Sequence, residues 1–330
     1  MKWGLIGASD IAATRVIPAI LENNQQISWV QSSSASHAEK YASDHGIKNF
    51  TTDIQELLAA DIDAVYISST NEKHFAQAMA AIGAGKHILC EKPIAMSLDD
   101  AKTMVEAAKK SNLVFATNHH VRVAGSHRMV RQLVDDGKLG DLISIRINHA
   151  VALPDRLKGW RLDNPAAGAG VVLDIVVHDV DTLRYLVGSD ISEIAGFTNS
   201  FGLGNSKVED SAMVIYKFAN GVLGTSHESF AVKYNETTIE IHGSKASVFM
   251  QKAMTQDPVT EVFIRDDNGY RQLDVADREN LYVKAIRQFV RSVESGETPY
   301  ATGLDGVKSL EGALAVLESV NSKKVVKVGD

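Results

Sequence analysis

Hydrophobic positions in the first 120 residues follow two rhythms. Short strand-like stretches stand at residues 2–7, 27–33, 64–68 (Ala-Val-Tyr-Ile-Ser), 87–90 and 114–117, the one at 64–68 almost wholly apolar. An apolar run of that length predicts a strand buried on both faces, the habit of parallel sheets. Between them, residues 11–22, 37–45, 72–82 and 98–110 place apolar side chains at the helical spacing. Strand and helix alternate, which predicts βαβ units. The pattern changes after about Val121. One more helix, at 126–136, leads into a long alternating stretch at 142–151, and a helix follows at 174–187. From 191 to 264 the pattern is strand, turn, strand. Turn signals stand at Ala219-Asn220-Gly221, His242-Gly243-Ser244 and Asp266-Asp267-Asn268-Gly269. Helical patterns at 280–295 and 304–322 close the chain. The reading is an α/β domain over residues 1–120, followed by an α+β domain over 121–330 with a large, mostly antiparallel open sheet.

Composition narrows the function classes. A chain of 330 residues suits two domains. Formal net charge is −7 with no block of like charges, which argues against the basic face of a nucleic-acid binder. No apolar run approaches the roughly 18 residues that span a bilayer, so no membrane partner is expected. Met-Lys-Trp-Gly-Leu-Ile-Gly at the start reads as a strand entering a glycine turn rather than a secretory leader. The single cysteine, Cys90, cannot form an internal disulfide. These features suggest a cytoplasmic setting. Oligomeric state stays open, because an exposed sheet face can pair or remain solvated.

The first turn carries candidate chemistry. After the strand at 2–7 the chain reads Gly7-Ala8-Ser9-Asp10-Ile11-Ala12. The dinucleotide-binding fingerprint of Rossmann domains is G-x-G-x-x-G/A, and here Ser9 stands at its second glycine. Gly7 can make the tight turn, Ala12 is small enough for close helix packing, and backbone N–H groups at the helix start can hold a pyrophosphate. The Ser9 hydroxyl could donate to that phosphate. Asp10 puts a negative charge beside the turn, which disfavours an anion. The second strand ends Ser32-Ser33-Ser34-Ala35-Ser36-His37, with no carboxylate to hold ribose hydroxyls. Hydroxyls and His37 suit a ribose phosphate instead, which favours NADP over NAD; the same serines can also cap the helix that follows.

Two constellations suit proton chemistry. Glu91-Lys92-Pro93 directly follows the strand at 87–90. A lysine there can supply charge and a proton to an alkoxide left by hydride transfer. In the apolar run 171–179, Asp174 and His178 are four apart and share one helix face. A carboxylate beside an imidazole orients it and favours its charged form; a structural Asp–His pair would fit the same pattern. Weaker candidates are Ser69-Thr70-Asn71-Glu72-Lys73-His74, with Asn71 as a possible N-cap, Asn118-His119-His120, and Gly159-Trp160-Arg161 in a loop. The adjacent histidines lack metal-ligand spacing, so no metal is expected.

In this order along the chain, the Gly7 turn, residues 69–74, Glu91-Lys92-Pro93, and Asp174 with His178 resemble the glucose–fructose oxidoreductase / inositol dehydrogenase (Gfo/Idh/MocA) family over essentially the whole length. The resemblance implies NADPH-dependent reduction of a sugar ketone, with a small keto-sugar or polyol as substrate. It implies cofactor contacts at Gly7, Ala8, Ser9, Asp10, Ile11, Ser32, Ser33, His37, Ser69, Thr70, Asn71, His74, Glu91, Lys92, Asn118, Trp160, Arg161 and Tyr282. Lys92, Asp174 and His178 are the implied catalytic residues. An NAD-linked inositol or polyol dehydrogenase is the second expectation, and a non-catalytic dinucleotide sensor a distant third.

Overall fold

The computed structural model describes residues 1–204 and 208–329. They form two compact units, one of residues 1–120 with 282–307, the other of 121–281 with 308–329.

The first unit is built on a six-stranded sheet. Its elements are β1 (Lys2–Ile6), α1 (Ile17–Glu22), β2 (Gln26–Gln31), α2 (Ala35–His45), β3 (Asn49–Thr51), α3 (Ile54–Ala59), β4 (Ala64–Ile67), α4 (His74–Gly83), β5 (His87–Cys90), α5 (Leu98–Lys110) and β6 (Phe115–Thr117). Strand order is β3-β2-β1-β4-β5-β6, every pair parallel. All of β4 is buried, as its apolar run demands. The order reverses between β1 and β4, the switch point where doubly wound sheets bind ligands. Local chemistry sets the helix ends. Ser34 caps α2 by accepting from the His37 N–H, and Gly46 closes it in the left-handed conformation. Ser97 caps α5, with Asp99 and Asp100 in its first turn and Lys109 and Lys110 in its last, matching the helix dipole.

The second unit contains α6 (Gly125–Asp135), β7 (Leu142–Ala150), α7 (Trp160–Asp163), α8 (Val177–Val187), β8 (Ile191–Asn199), β9 (Ser211–Phe218), β10 (Leu223–Ser229), β11 (Thr238–Gly243), β12 (Ser247–Gln251), β13 (Glu261–Asp266) and β14 (Gly269–Leu273). The chain continues through α9 (Leu281–Ser295), α10 (Gly303–Ser322) and β15 (Val326–Lys327). The nine-stranded order is β14-β13-β12-β11-β7-β10-β9-β8-β15. Neighbours are antiparallel except β7 with β10. Along β9 burial alternates, with Val214, Tyr216 and Phe218 inside. The opposite face leaves Phe197, Met213, Ile215 and Leu223 exposed.

The fold class is the expected one: a Rossmann parallel sheet and a mixed, mostly antiparallel open sheet. The details differ in four places. Residues 282–307, expected with the second domain, pack in the first unit: Phe289 lies against Trp3 at 5.1 Å between ring centroids, and the Thr117 N–H donates to Ala301 at 3.0 Å. The short β3 and α3 had no visible signal. Residues 12–16 and 172–176, expected as ordinary helix, form wider π-type turns that run into α1 and α8. Antiparallel strands extend past 264, because Asp266 to Gly269 is a hairpin turn between β13 and β14. Among the described residues no helix is long and apolar enough to cross a membrane.

Candidate active site

In a parallel sheet all carboxyl ends lie at one edge. That edge of the first unit gathers Gly7 to Ile11 after β1, Ser32 to His37 after β2, Ser69 to Asn71 after β4, Glu91 and Lys92 after β5, and Asn118 after β6.

Gly7 sits at φ +103°, a conformation that L side chains rarely adopt, and a Cβ there would lie 2.7 Å from the Ser69 backbone nitrogen. Only glycine lets the chain turn this close to β4. The Ser9 hydroxyl donates to Ser68 Oγ at 2.7 Å and accepts from the Ala12 N–H at 3.2 Å. It closes the turn and caps the first helical residues. Tyr41 donates to the Ser9 carbonyl at 2.9 Å, tying α2 to the turn. Burial pushes the Tyr41 hydroxyl up, and Asp10 adds to it.

At the end of β2, Ser32 is buried while Ser33, Ser34, Ser36 and His37 are exposed. Ser32 Oγ lies 3.0 Å from His37 Nδ1. One serine hydroxyl and one imidazole are thus held together, with further hydroxyls beside them and no carboxylate at residues 32–37. Ser34 in the same loop caps α2. A glycine turn open at the backbone and a hydroxyl-rich second-strand end fit a nicotinamide dinucleotide.

The ends of β4, β5 and β6 are bonded into one network. Glu91 Oε1 accepts from the Tyr66 hydroxyl at 2.5 Å and from Asn118 Nδ2 at 2.6 Å. Asn118 Oδ1 in turn accepts from the Tyr300 hydroxyl at 2.8 Å. Burial, then the Glu91 carboxylate, push the Tyr66 hydroxyl far above its usual range, so it stays a donor. The network fixes the residue preceding Lys92, whose peptide bond to Pro93 is cis. Tyr66 and Tyr300 escaped the sequence reading; the one signal was a tyrosine inside an otherwise aliphatic buried strand.

His74 is fully buried, with Nδ1 2.8 Å from the Pro93 carbonyl oxygen and Nε2 3.1 Å from that of Ser69. It spans the turns after β4 and β5. Burial lowers its pKa, against the pull of the two carbonyls. His120 is buried against Tyr282, the rings stacked at 4.8 Å. Burial, then His119 and Lys92, push His120 down to about 3. The shift favours the neutral imidazole at this position. Tyr282 therefore packs within the first unit.

In the second unit, Asp174 lies in the wide turn Val172–Val176, and His178 in the first turn of α8. Both are half-buried. Asp174 Oδ2 pairs with Arg161 Nε at 3.3 Å, and the Arg161 guanidinium lies over the Trp160 ring at 4.6 Å. The structure thus assembles Trp160, Arg161 and Asp174, a grouping that their sequence separation hides. Glu209 holds the turn's entrance: its Oε1 accepts from the Val172 N–H at 3.3 Å, and Gly170, at φ +112°, leaves room for that carboxylate. Among the described residues no group of three His, Cys, Asp or Glu side chains could hold a metal.

Comparison with known proteins decides the family. Residues 1–119 match an oxidoreductase family with an NAD-binding Rossmann fold, and residues 127–249 match the GFO/IDH/MocA C-terminal domain. The chain is 44% identical over 328 residues to 1,5-anhydro-D-fructose reductase of Ensifer adhaerens, covering 99% of this chain and 98% of that one. It belongs to the Gfo/Idh/MocA family. Another member, myo-inositol 2-dehydrogenase of Thermotoga maritima, is 27% identical over 293 residues, covering 86% of this chain and 85% of the other. The solved structure of levoglucosan dehydrogenase in complex with NADH and levoglucosan shares the fold across 100% of both chains, at TM-score 0.90 and 22% identity. As a Gfo/Idh/MocA protein, the chain is an oxidoreductase with a dinucleotide-binding domain.

Proposed function

We propose that this protein reduces the ketone of a cyclic anhydro-sugar with NADPH, converting 1,5-anhydro-D-fructose to 1,5-anhydro-D-mannitol. The reading is carried by likeness to the Ensifer adhaerens reductase along the whole chain. The end of β2 supports NADP, because Ser32 and His37 sit 3.0 Å apart with no carboxylate beside them. A bound NADPH supplies the hydride. The chain's own residues hold and move the proton. Residues 7–11 offer N–H groups to pyrophosphate, with Ser32, Ser33 and His37 at the ribose phosphate. Ser69, Thr70, Asn71, His74, Glu91 and Asn118 shape the nicotinamide end. Trp160, Arg161 and Tyr282 complete the proposed cofactor contacts. Lys92 or His178 protonates the nascent alkoxide, and Asp174 sets the charge around His178. In this role Asp174 also anchors Arg161, so both charges of that pair are held.

A second reading is an NAD-linked polyol or inositol dehydrogenase. Likeness to the Thermotoga maritima enzyme favours it, as does a single histidine where a phosphate site could carry a permanent cation. Initial-rate assays separate the two. The first reading expects turnover of 1,5-anhydro-D-fructose with NADPH; oxidation of myo-inositol with NAD and no turnover of the keto-sugar would replace it with the second.

A further inference from the structure

A group of buried ionisable side chains lies beneath His178 and takes no part in the proposed chemistry. Glu228 on β10 is paired in register with His149 on β7, the one parallel pair in the nine-stranded sheet. Both side chains turn to the helix-bearing face, as do Ile145, Ile147 and Ser226. Asp179, the residue after His178 on α8, comes down on them. Its Oδ1 lies 2.8 Å from His149 Nδ1. Asp179 and Glu228 are both fully buried. Tyr216 on β9 completes the surroundings and bonds Ser226 Oγ at 2.7 Å.

Two carboxyl groups are thus buried side by side with one imidazole. As a carboxylate, Glu228 has no well-formed hydrogen bond to either oxygen; its one neighbouring donor is the Ser226 hydroxyl, which Tyr216 already engages. A buried carboxylate short of donors is strongly disfavoured, whereas a protonated one becomes a donor itself. Burial pushes the Glu228 carboxyl well above the usual range, and the Asp179 charge pushes the same way; Ser226 and His149 pull weakly against them. Burial first, and the neighbouring carboxyl groups of Glu228 and Asp179 wherever they are ionised, push the Tyr216 hydroxyl far above its usual range.

We infer that Glu228 carries a proton at neutral pH and donates it to Asp179, forming a chain Glu228–Asp179–His149 that pins the first turn of α8 to the sheet and positions His178. Glu228 is a positioning residue, acting through Asp179. The role in turnover rests on the reading of His178 as a proton-handling group; the protonation itself does not.

The test therefore has separate arms. Infrared difference spectra of wild type against Glu228→Gln at neutral pH should show the carbonyl stretch of a protonated carboxylic acid, absent from the variant. Carboxylate bands in its place overturn the proposal. The linkage sign is fixed, because the folded-state pKa is raised. Between the unfolded glutamate pKa and the folded one, unfolding releases a proton, so stability is greatest at acid pH and falls as pH rises. The wild-type unfolding constant should rise relative to that of Glu228→Gln by up to about tenfold per pH unit from near pH 5 upward. Parallel pH profiles overturn the proposal. For positioning, Glu228→Gln keeps a donor and should retain most of kcat. Glu228→Met keeps volume but no donor, and should lose kcat by about tenfold with little change in KM for the dinucleotide. Equal loss in both variants overturns the positioning role. If the keto-sugar proves not to be a substrate, the infrared and pH arms still decide the protonation.

Discussion

Lys92 and His178 bear the proposed proton chemistry, and each can be removed singly. Lys92→Ala and His178→Ala should each lower kcat by on the order of 100-fold, while fluorescence titration still shows saturable dinucleotide binding. Unchanged turnover in both would remove them from the mechanism. The cofactor choice also rests on few residues. Ser32→Asp places a carboxylate beside the proposed ribose phosphate site and should raise the Kd for NADPH by about tenfold or more, leaving NADH little affected. Isothermal titration with both dinucleotides reads this directly. At this scale the sequence exposed residue types better than partnerships. Lys92 and His178 stood out by neighbourhood and spacing. The pairing of Asp174 with Arg161, thirteen positions away, could not be read. Neither could the hold of Tyr66 and Tyr300 on Glu91 and Asn118, since it joins residues from distant strands. Nor could the bond between the Ser9 and Ser68 hydroxyls be read, since it ties the turn after β1 to the one after β4.

The elements depend on a few tight local choices. Gly7→Ala forces a side chain into a left-handed backbone against β4 and should destabilise the protein by about 1–3 kcal/mol, seen in chemical denaturation. In the second unit, Arg122 binds Asp181 through two nitrogens at 2.8 and 2.7 Å, with only 11% and 2% of the side chains exposed. Arg122→Met leaves a buried carboxylate and should cost about 3–5 kcal/mol, with part of the loss recovered in Arg122→Met/Asp181→Leu. A loss no larger than that of a surface pair would contradict the burial argument. Elements with strong periodicity were legible: all-apolar β4, amphipathic α5 and alternating β9 follow from hydrophobic pattern alone. β3 has only three residues, one of them exposed, and α3 is less than two turns long, so neither shows a period. The parallel pairing of β7 with β10 joins strands more than seventy residues apart, and turn signals report only chain neighbours.

The whole molecule is an acidic oxidoreductase whose dinucleotide-binding unit includes a late segment, residues 282–307. That placement was not legible, because α9 has an ordinary amphipathic pattern that does not say which sheet it covers. If the first unit binds NADPH as proposed, saturating dinucleotide should stabilise the native state by RT ln(1 + [L]/Kd), about 2.7 kcal/mol at a hundredfold excess over Kd. Thermal unfolding with NADPH, and with NADH at equal concentration, measures that shift. The central claim is keto-sugar reduction with NADPH, and the most direct measurement is kcat/KM for 1,5-anhydro-D-fructose with each reduced dinucleotide. The account predicts turnover with a preference for NADPH of about tenfold or more, as a site with hydroxyls, an imidazole and no carboxylate requires. No reduction of this ketone with either dinucleotide, alongside NAD-dependent oxidation of a polyol, would contradict it.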